Sequence, residues 1–327
     1  MIVAIKKGLF RIEVPLPKNP LKSLNSYLIR GEDRNLIVDT GLNRKECLEA
    51  MREGLRELDV DLKRTDLFIT HFHTDHFGLV GELATESSRV YFNRPESNLM
   101  LNWGGWERML EYGALNGFPR QELQAALNQH PGHKFSPGSI PELSMLDEGD
   151  SIRIGDFNFS CISTPGHSPG HICLYEREKR FLISGDHVLG DITPNIQCWS
   201  DSQNPLEDYL ENLNKVRSLD IELMLPGHRS LITEPIKRVD EIKTHHRKRL
   251  DEVLAIVGQG AAQAYQVASQ MQWDIEAESW EQFPLMQKWF ATGEAIAHLR
   301  CLEERKIVSR KKGSAEIEYA LADSQKS

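Results

Sequence analysis

Nothing in this 327-residue chain stays apolar over the ~20 residues that a membrane span requires. The start, Met1 to Lys7, has basic residues after a very short apolar stretch and lacks the apolar core of a secretory signal. Cysteine is sparse: Cys47, Cys161, Cys173, Cys198 and Cys301 make an odd count of five, and no two have Cys-x-x-Cys or zinc-finger spacing. Cys161 and Cys173 lie in apolar, strand-like runs, as small core residues do. These absences predict a reduced, cytoplasmic protein with no membrane partner. Positive charge is also short. The formal net charge of −9 leaves the molecule as a whole no cationic field to gather nucleic acid, although a local basic patch is compatible with it. No Gly-rich phosphate loop is present, and no Ser-His-Asp or Cys-based nucleophile stands out.

What the chain has is histidine, concentrated in one place. Thr70 to Gly78 reads Thr-His-Phe-His-Thr-Asp-His-Phe-Gly and brings His71, His73, Asp75 and His76 within six residues. Imidazole and carboxylate are the usual ligands of zinc and its borderline neighbours. Leu67 to Thr70 reads as a short buried strand, and Leu79 to Leu83 as the start of a helix with Gly78 at the junction. The four groups therefore fall on a strand-to-helix loop, where side chains can converge. The bland alternative is a polar loop that happens to be rich in histidine. Against it, three imidazoles and a carboxylate would then crowd one loop with no evident partner.

His71-x-His73-x-Asp75-His76 resembles the signature of the metallo-β-lactamase superfamily. That family places its remaining ligands at later strand ends, and the chain offers a candidate for each. Thr164-Pro165-Gly166-His167 follows the run Phe159 to Ile162, Ser184-Gly185-Asp186 follows Phe181 to Ile183, and Leu225-Pro226-Gly227-His228 follows Ile221 to Met224. The resemblance implies two divalent ions. His71, His73 and His167 would hold one, Asp75, His76 and His228 the other, and Asp186 would bridge them. It also implies a metal-bridging hydroxide as nucleophile. Asp75 would be catalytic, holding that hydroxide and handing a proton to the leaving group, with bulk solvent as the alternative proton source. The ions are expected to be zinc, with manganese or iron open. Asp39 matches the family's aspartate that buttresses the metal loop, a plain strand-end acid being the alternative. His187, directly after Asp186, is expected to line the pocket or hydrogen-bond within it, and His171 to give structural support.

Periodicity alone yields α/β or α+β. The resemblance sharpens this to the four-layer αββα sandwich, with two sheets face to face and helices outside, over residues 1–234. Its expected elements include strands at Leu9–Val14, Asn25–Ile29, Leu36–Asp39 and Arg89–Phe92, and a helix capped by Asn43 and running to Leu58. Residues 95–141 read as an insertion with an aromatic and Met-rich stretch, a helix at Gln121–Gln129, and His130 and His133 as ordinary loop residues. It is expected to be a helical pair packed on the core that serves as an active-site cap, with Trp103, Trp106 and Tyr112 shaping a substrate pocket; a plain surface pair is the alternative.

Residues 235–327 read as helices Lys237–Val257, Ala261–Met271 and Leu285–Glu304, the last with Trp289, Ile296, Leu299 and Leu302 on one apolar stripe. A small hairpin turning at Lys311–Gly313 follows, and Asp323–Ser327 are expected to fray. This order resembles the C-terminal winged-helix appendage of one branch of the superfamily. The third helix is not basic, and the run His245–Arg249 reads as a solvated face of the first helix. Dimerisation or docking on the main domain is therefore preferred to nucleic-acid binding.

The ligand set resembles that of glyoxalase II and acyl-homoserine lactonases. It predicts hydrolysis of a small-molecule ester, thioester or lactone, although no basic cluster can be assigned to glutathione. The alternative is the metal-dependent endoribonuclease of the winged-helix branch. Flavodiiron-like and persulfide-oxidising readings fit less well, because the flavodiiron loop has Glu where this chain has His73 and persulfide oxidation uses a single iron and fewer ligands.

Overall fold

The computed structural model of the chain describes residues 1–101, 105–135, 138–260, 262–312 and 316–322. In chain order it forms β1 (Ile2–Lys6), β2 (Leu9–Pro15), β3 (Ser23–Ile29), β4 (Asn35–Val38), α1 (Lys45–Glu57), β5 (Thr65–Phe68), α2 (Thr74–Phe77), α3 (Val80–Leu83), β6 (Val90–Asn93), α4 (Arg94–Leu101), α5 (Trp106–Leu115), α6 (Arg120–Gln129) and α7 (Pro131–Lys134). There follow β7 (Leu143–Leu146), β8 (Ser151–Ile154), β9 (Phe157–Ser163), β10 (Ile172–Glu176), β11 (Phe181–Gly185), α8 (Pro205–Arg217), β12 (Leu223–Pro226), α9 (Pro235–Val257), α10 (Ala264–Gln270), α11 (Leu285–Glu304), β13 (Val308–Lys312) and β14 (Ile317–Leu321).

The chain clusters into two compact units. One comprises Met1–Asn102, Lys134–Pro194 and Asn212–Val239; the other comprises Trp103–His133, Asn195–Glu211 and Asp240–Ser327. In the first, a seven-stranded sheet runs in sequence order from β1 to β7, and a five-stranded sheet has the order β12-β11-β10-β9-β8. β1 to β4 pair antiparallel, β4 to β7 pair parallel, and the smaller sheet is antiparallel except for β11 beside β12.

Side chains alternate between the faces of a strand, and that alternation builds two cores. Ile12, Leu28, Ile37, Leu67 and Ile69 cover one face of the large sheet together with Met51 and Leu55 of α1 and Val80 and Leu83 of α3. Leu9, Tyr27, Ile29, Val38 and Phe68 on the other face meet Ile154, Phe159, Leu174, Ile183 and Leu225 of the small sheet. Two sheets thus pack face to face with helices outside the larger one, which is the sandwich expected from the resemblance. Among the described residues no helix is long and apolar enough to cross a membrane.

Several local expectations are corrected. Helix α1 is preceded not by Asn43 but by Arg44, whose extended backbone (φ −136°) marks the boundary and whose side chain makes no capping bond. Strands β1 and β7, which the sequence reading missed, are the edges of the large sheet, where half-exposed side chains blur the alternation. His133 lies in α7 rather than in a loop. His130 packs among Trp106, Trp289 and Phe290, with ring centroids 4.9, 5.7 and 6.1 Å away, and burial pushes its pKa down to about 4.

Helix α11 lacks the single apolar stripe. It is buried nearly all round from Lys288 to Leu302, with Lys288, Thr292, Glu294, His298 and Arg300 inside. The charges have partners: Lys288 Nζ lies 3.1 Å from Glu122, Arg249 Nε 3.5 Å from Glu294, and Arg300 2.9 Å from Glu304. Small residues on α11 permit this close packing; a Cβ at Gly293 would sit 3.0 Å from the Trp199 ring. The basic run on α9 is not a solvated face either, since His246 and Arg249 are buried. Gly313, in the expected hairpin turn, and residues 323–327 lie outside the described residues.

The packing of α1 on β2 allows a test of sign. A Cβ on Gly54 would lie 2.7 Å from Ile12 Cγ2, a stiff β-branched methyl in the core. Helix propensity favours Gly54→Ala by about 0.5–1 kcal/mol, whereas overpacking costs about 1–3 kcal/mol. The substitution is expected to lower stability in denaturant titration; a gain would show that the interface yields.

Candidate metal centre

The two sheets deliver their strand ends to one edge of the sandwich. Parallel pairing sets β4 beside β5 and β11 beside β12, so Asp39 and His71 emerge side by side from the large sheet, and Asp186 and His228 from the small one. His167 follows β9 in the connection to β10. After β5 the chain passes Thr70 and turns into α2, with Phe77 N–H donating to His73 O (3.0 Å) and Gly78 N–H to Thr74 O (2.9 Å). Asp75 and His76 therefore stand on a helical turn, not on the open loop read from the sequence. Gly78 is where this turn meets the segment after β4: a Cβ there would lie 2.4 Å from Thr74 O and 2.7 Å from Gly41 O.

The seven side chains singled out as ligands come together. Among the described residues, the ligand atoms within each of three groups, His71/His73/His167, His71/His76/Asp186 and Asp75/His76/His228, lie within 4.8 Å of one another. His71 Nε2 is 2.9 Å from His73 Nδ1, which is 3.0 Å from His167 Nε2. Asp186 reaches across: Oδ1 lies 3.5 Å from His76 Nε2, and Oδ2 lies 3.6 Å from His167 Nε2 and 3.5 Å from His228 Nε2. Asp75 Oδ2 lies 3.4 Å from His228 Nε2.

The outer ring nitrogens fix the tautomers. Thr70 Oγ1 donates to Asp39 (2.9 Å) and so accepts from His71 Nδ1 (3.0 Å). His76 Nδ1 donates to Asp39 Oδ2 (2.7 Å), and His228 Nδ1 to the carbonyl of Ser23 (2.8 Å). In neutral rings the lone pair of each is then on Nε2, facing inward, as in metal-binding histidines whose other nitrogen is tied back. His76 Nε2, His228 Nε2 and Asp186 Oδ1 are buried and make no hydrogen bond. In the His71/His73/His167 group three ring nitrogens face one another, and a proton can serve only one pair at a time. A cation satisfies all these atoms at once, so the donor set fits a divalent metal.

The electrostatics divide the cluster. Burial, reinforced by the neighbouring imidazoles, drives His71 well down, and burial with His167 takes His73 to about 3; both are held neutral. Burial would also lower His76 and His228, but Asp186 together with Asp39 for the first and Asp75 for the second outweighs it and raises both. Burial would raise Asp186, yet His228 and His76 hold it well below the usual carboxylate range.

Of the supporting residues, Asp39 is buried at a left-handed φ of 58° and accepts from Thr70 N–H (2.9 Å) besides its contact with His76. His187 is buried, 6.1 Å from the His171 ring, and burial lowers it to about 3. His171 does more than its neighbours in sequence suggest: its Nε2 accepts from Asp186 N–H (3.1 Å), so its Nδ1 carries the proton toward Thr164 Oγ1 (2.8 Å). The sequence reading also missed Glu96, which is buried and bonded to the segments on both sides of the cluster. The pattern Asn93-x-x-Glu96 at a strand-to-helix junction was the available signal. Trp106 and Tyr112 belong to the second compact unit, Trp106 against His130 and Tyr112 donating to Asp201 (3.0 Å). Trp103 lies outside the described residues.

Comparison with known proteins identifies the family. The sequence model of the metallo-beta-lactamase superfamily matches residues 20–228, and that of a metallo-beta-lactamase-like C-terminal domain matches residues 250–319. A probable metallo-hydrolase of Bacillus subtilis, YqjP, is 25% identical over 296 residues, 86% of this chain and 88% of that protein. The human acyl-coenzyme A thioesterase MBLAC2 is 29% identical over 217 residues, 62% of this chain and 72% of that protein. A metallo-beta-lactamase family protein from Thermus thermophilus superposes with a TM-score of 0.82 at 27% identity, covering 97% of this chain and all of that one. The chain belongs to the metallo-beta-lactamase superfamily, a family that typically binds divalent metals, and is a hydrolase of that family.

Proposed function

We propose that the protein is a dinuclear metallo-hydrolase acting on a small ester, thioester or lactone, with a thioester as the first choice. One observation carries this reading: five imidazoles and two carboxylates that follow separate strands converge with their ligand atoms within 4.8 Å in three groups, and three of their buried atoms make no hydrogen bond. His71, His73 and His167 would hold one ion, Asp75, His76 and His228 the other, and Asp186 would touch both. When bound, divalent ions supply a Lewis acid and an acidified water, a combination worth several kcal/mol in acyl transfer. Zinc suits the donors, as do manganese and iron.

The chain's own groups have distinct tasks. Asp75 is 16% exposed, against 7% for Asp186 and none for His228. It is the more exposed of the two carboxylates, which supports assigning it to hold a water and pass its proton to a leaving group. Asp39 keeps Thr70 and His76 in register from behind. The thioester preference is supported by the thioesterase among the relatives. The cytoplasmic setting is supported by five free cysteines.

A ribonuclease reading would rest on the second unit, whose closing order of three helices and a hairpin suits a winged helix. Such a module offers an exposed helix to nucleic acid, and here every residue of the third helix from Lys288 to Leu302 except the half-buried Phe290 is buried. Two of the five residues of the basic run on α9 are buried as well. Self-association or docking on the main domain is the use we assign to this unit in place of nucleic-acid binding.

The purified protein is expected to release thiol from acyl-coenzyme A substrates, read with a thiol-reactive dye. A chelator should abolish the activity, and added zinc or manganese should restore it. His73→Ala should lower kcat/KM by about a thousandfold or more, the equivalent of several kcal/mol; activity surviving this substitution would overturn the mechanism. Cleavage of single-stranded RNA without thioester, ester or lactone turnover would overturn the substrate class. Asp39→Asn, distant from substrate, should weaken metal retention by about 10–100-fold in a chelator competition.

A further inference from the structure

Glu96 is buried at the third position of α4, three residues after Asn93 at the end of β6. Asn93 Oδ1 accepts from Glu96 N–H (2.8 Å), which is the first half of a capping box. In the second half the carboxylate would return to the backbone N–H of the cap residue. Glu96 turns elsewhere. Its Oε2 accepts from Phe72 N–H (2.7 Å) and Asn93 Nδ2 (2.9 Å), and its Oε1 accepts from Gly170 N–H (3.1 Å) and the Ser168 hydroxyl. Phe72 stands between His71 and His73, and Ser168 follows His167. One carboxylate therefore ties together the two chain segments that carry the three facing ring nitrogens.

This arrangement is costly for a helix cap alone. Burial pushes the Glu96 carboxyl up to about 6, and four donors are committed to it. The approach also constrains the partner segment: a Cβ on Gly170 would sit 1.9 Å from Asn93 Oδ1 and 2.9 Å from Glu96 Cγ. Only a residue without a side chain lets segment 168–170 come this close.

We infer that Glu96 is a positioning residue for the site formed by His71, His73 and His167, setting the spacing at which the loop before α2 and the loop after β9 present their nitrogens to one ion. The inference rests on the metal reading proposed above. It gives Glu96 no contact with substrate and no part in proton transfer.

Glu96→Gln tests it with little change of shape. The variant removes the buried charge, but its NH2 group must face one pair of donors. Toward Phe72 and Asn93 it meets an N–H and an amide NH2. Toward Ser168 and Gly170 it meets a hydroxyl, which can accept, and an N–H, which cannot. The second orientation is the cheaper, so the His167 segment is the one released. The measurement is chelator competition on the metal-loaded protein, following bound metal per chain and, with cobalt loading, the visible absorption of the site. Thermal melting of the metal-free protein is followed alongside.

The expected result is selective. Glu96→Gln should lose one class of ion at a chelator concentration about 10–100-fold lower than wild type, with the other class retained and metal-free melting within a few degrees of wild type. Ser168→Ala, which leaves the carboxylate in place and removes one donor, should shift the same class by less. A wild-type competition curve for Glu96→Gln overturns the inference, and so does parallel loss of both classes with a lowered metal-free melting temperature. If Glu96→Gln does not fold, Ser168→Ala decides, and a wild-type curve for it overturns the inference. Failure of the underlying reading looks different: wild-type protein would then bind no divalent ion, or His73→Ala would bind as wild type does.

Discussion

The arrangement on which the rest of this structure depends is a repulsive one. Lone pairs of five imidazoles and two carboxylates are brought to a common centre, with nitrogens as close as 2.9 Å. The carboxylates offset part of that crowding for His76 and His228, but His71, His73 and His167 gain nothing from facing one another, so the surrounding fold must impose it. Parallel pairing of β4 with β5, and of β11 with β12, puts strand ends side by side without regard to what they carry. The core between the sheets then brings the two edges together. Polar stitches refine the approach: Tyr27 OH donates to Pro226 O (2.7 Å), Asn25 N–H to Gly227 O (2.7 Å), and Asn25 Nδ2 to Arg229 O (2.9 Å). Strand β3 of one sheet thereby holds the His228 segment of the other, and Ser23 of that same strand supplies the carbonyl that orients the His228 ring.

Strain gathers at the same edge. Asp39 holds a left-handed backbone, unusual for a residue with a side chain. Gly185 has φ 47°, and a Cβ there would lie 2.6 Å from His171 Nε2. A Cβ on Gly227 would lie 2.6 Å from Asp186 Oδ1. The backbone thus approaches the donor atoms as closely as a missing side chain permits. The two apolar cores on either side of the large sheet, each built from strands that alternate cleanly, offset what this edge costs.

How far the sequence could be read follows from the range of each interaction. The ligand candidates were legible because their pattern is local: a six-residue run after one apolar strand, and single residues following three others. The sheets were legible where alternation was strong. Glu96 was not, since what sets it apart is the pair of partners at separations of 24 and 74 residues; locally it is a helix-cap glutamate. Helix α11 misled for a similar reason. Its apolar residues suggest a stripe, but Lys288 is buried against Glu122, 166 residues away, and no local rule announces such a partner. The basic run on α9 reads as a solvated face until the partners of His246 and Arg249, on α11 and beyond α10, come into view.

The cluster is not symmetric, and the proton affinities of its imidazoles reveal the asymmetry. All four of His71, His73, His76 and His228 are removed from solvent, so desolvation pushes every one of them the same way. Two nevertheless go up. The difference lies in the carboxylates: His76 lies between Asp39 and Asp186, and His228 is in contact with Asp75 and Asp186, whereas His71 and His73 have mainly imidazoles around them. Apart from Asp186, which reaches both groups, His71, His73 and His167 form a nearly neutral nest of ring nitrogens, and Asp75, His76 and His228 an anionic one. Positive charge should be held more firmly in the second group and be less compensated in the first. On the metal reading proposed above, the neutral group has the least charge with which to attract an ion, so its affinity would depend most on how accurately its nitrogens are spaced. That is the group whose two loops Glu96 joins.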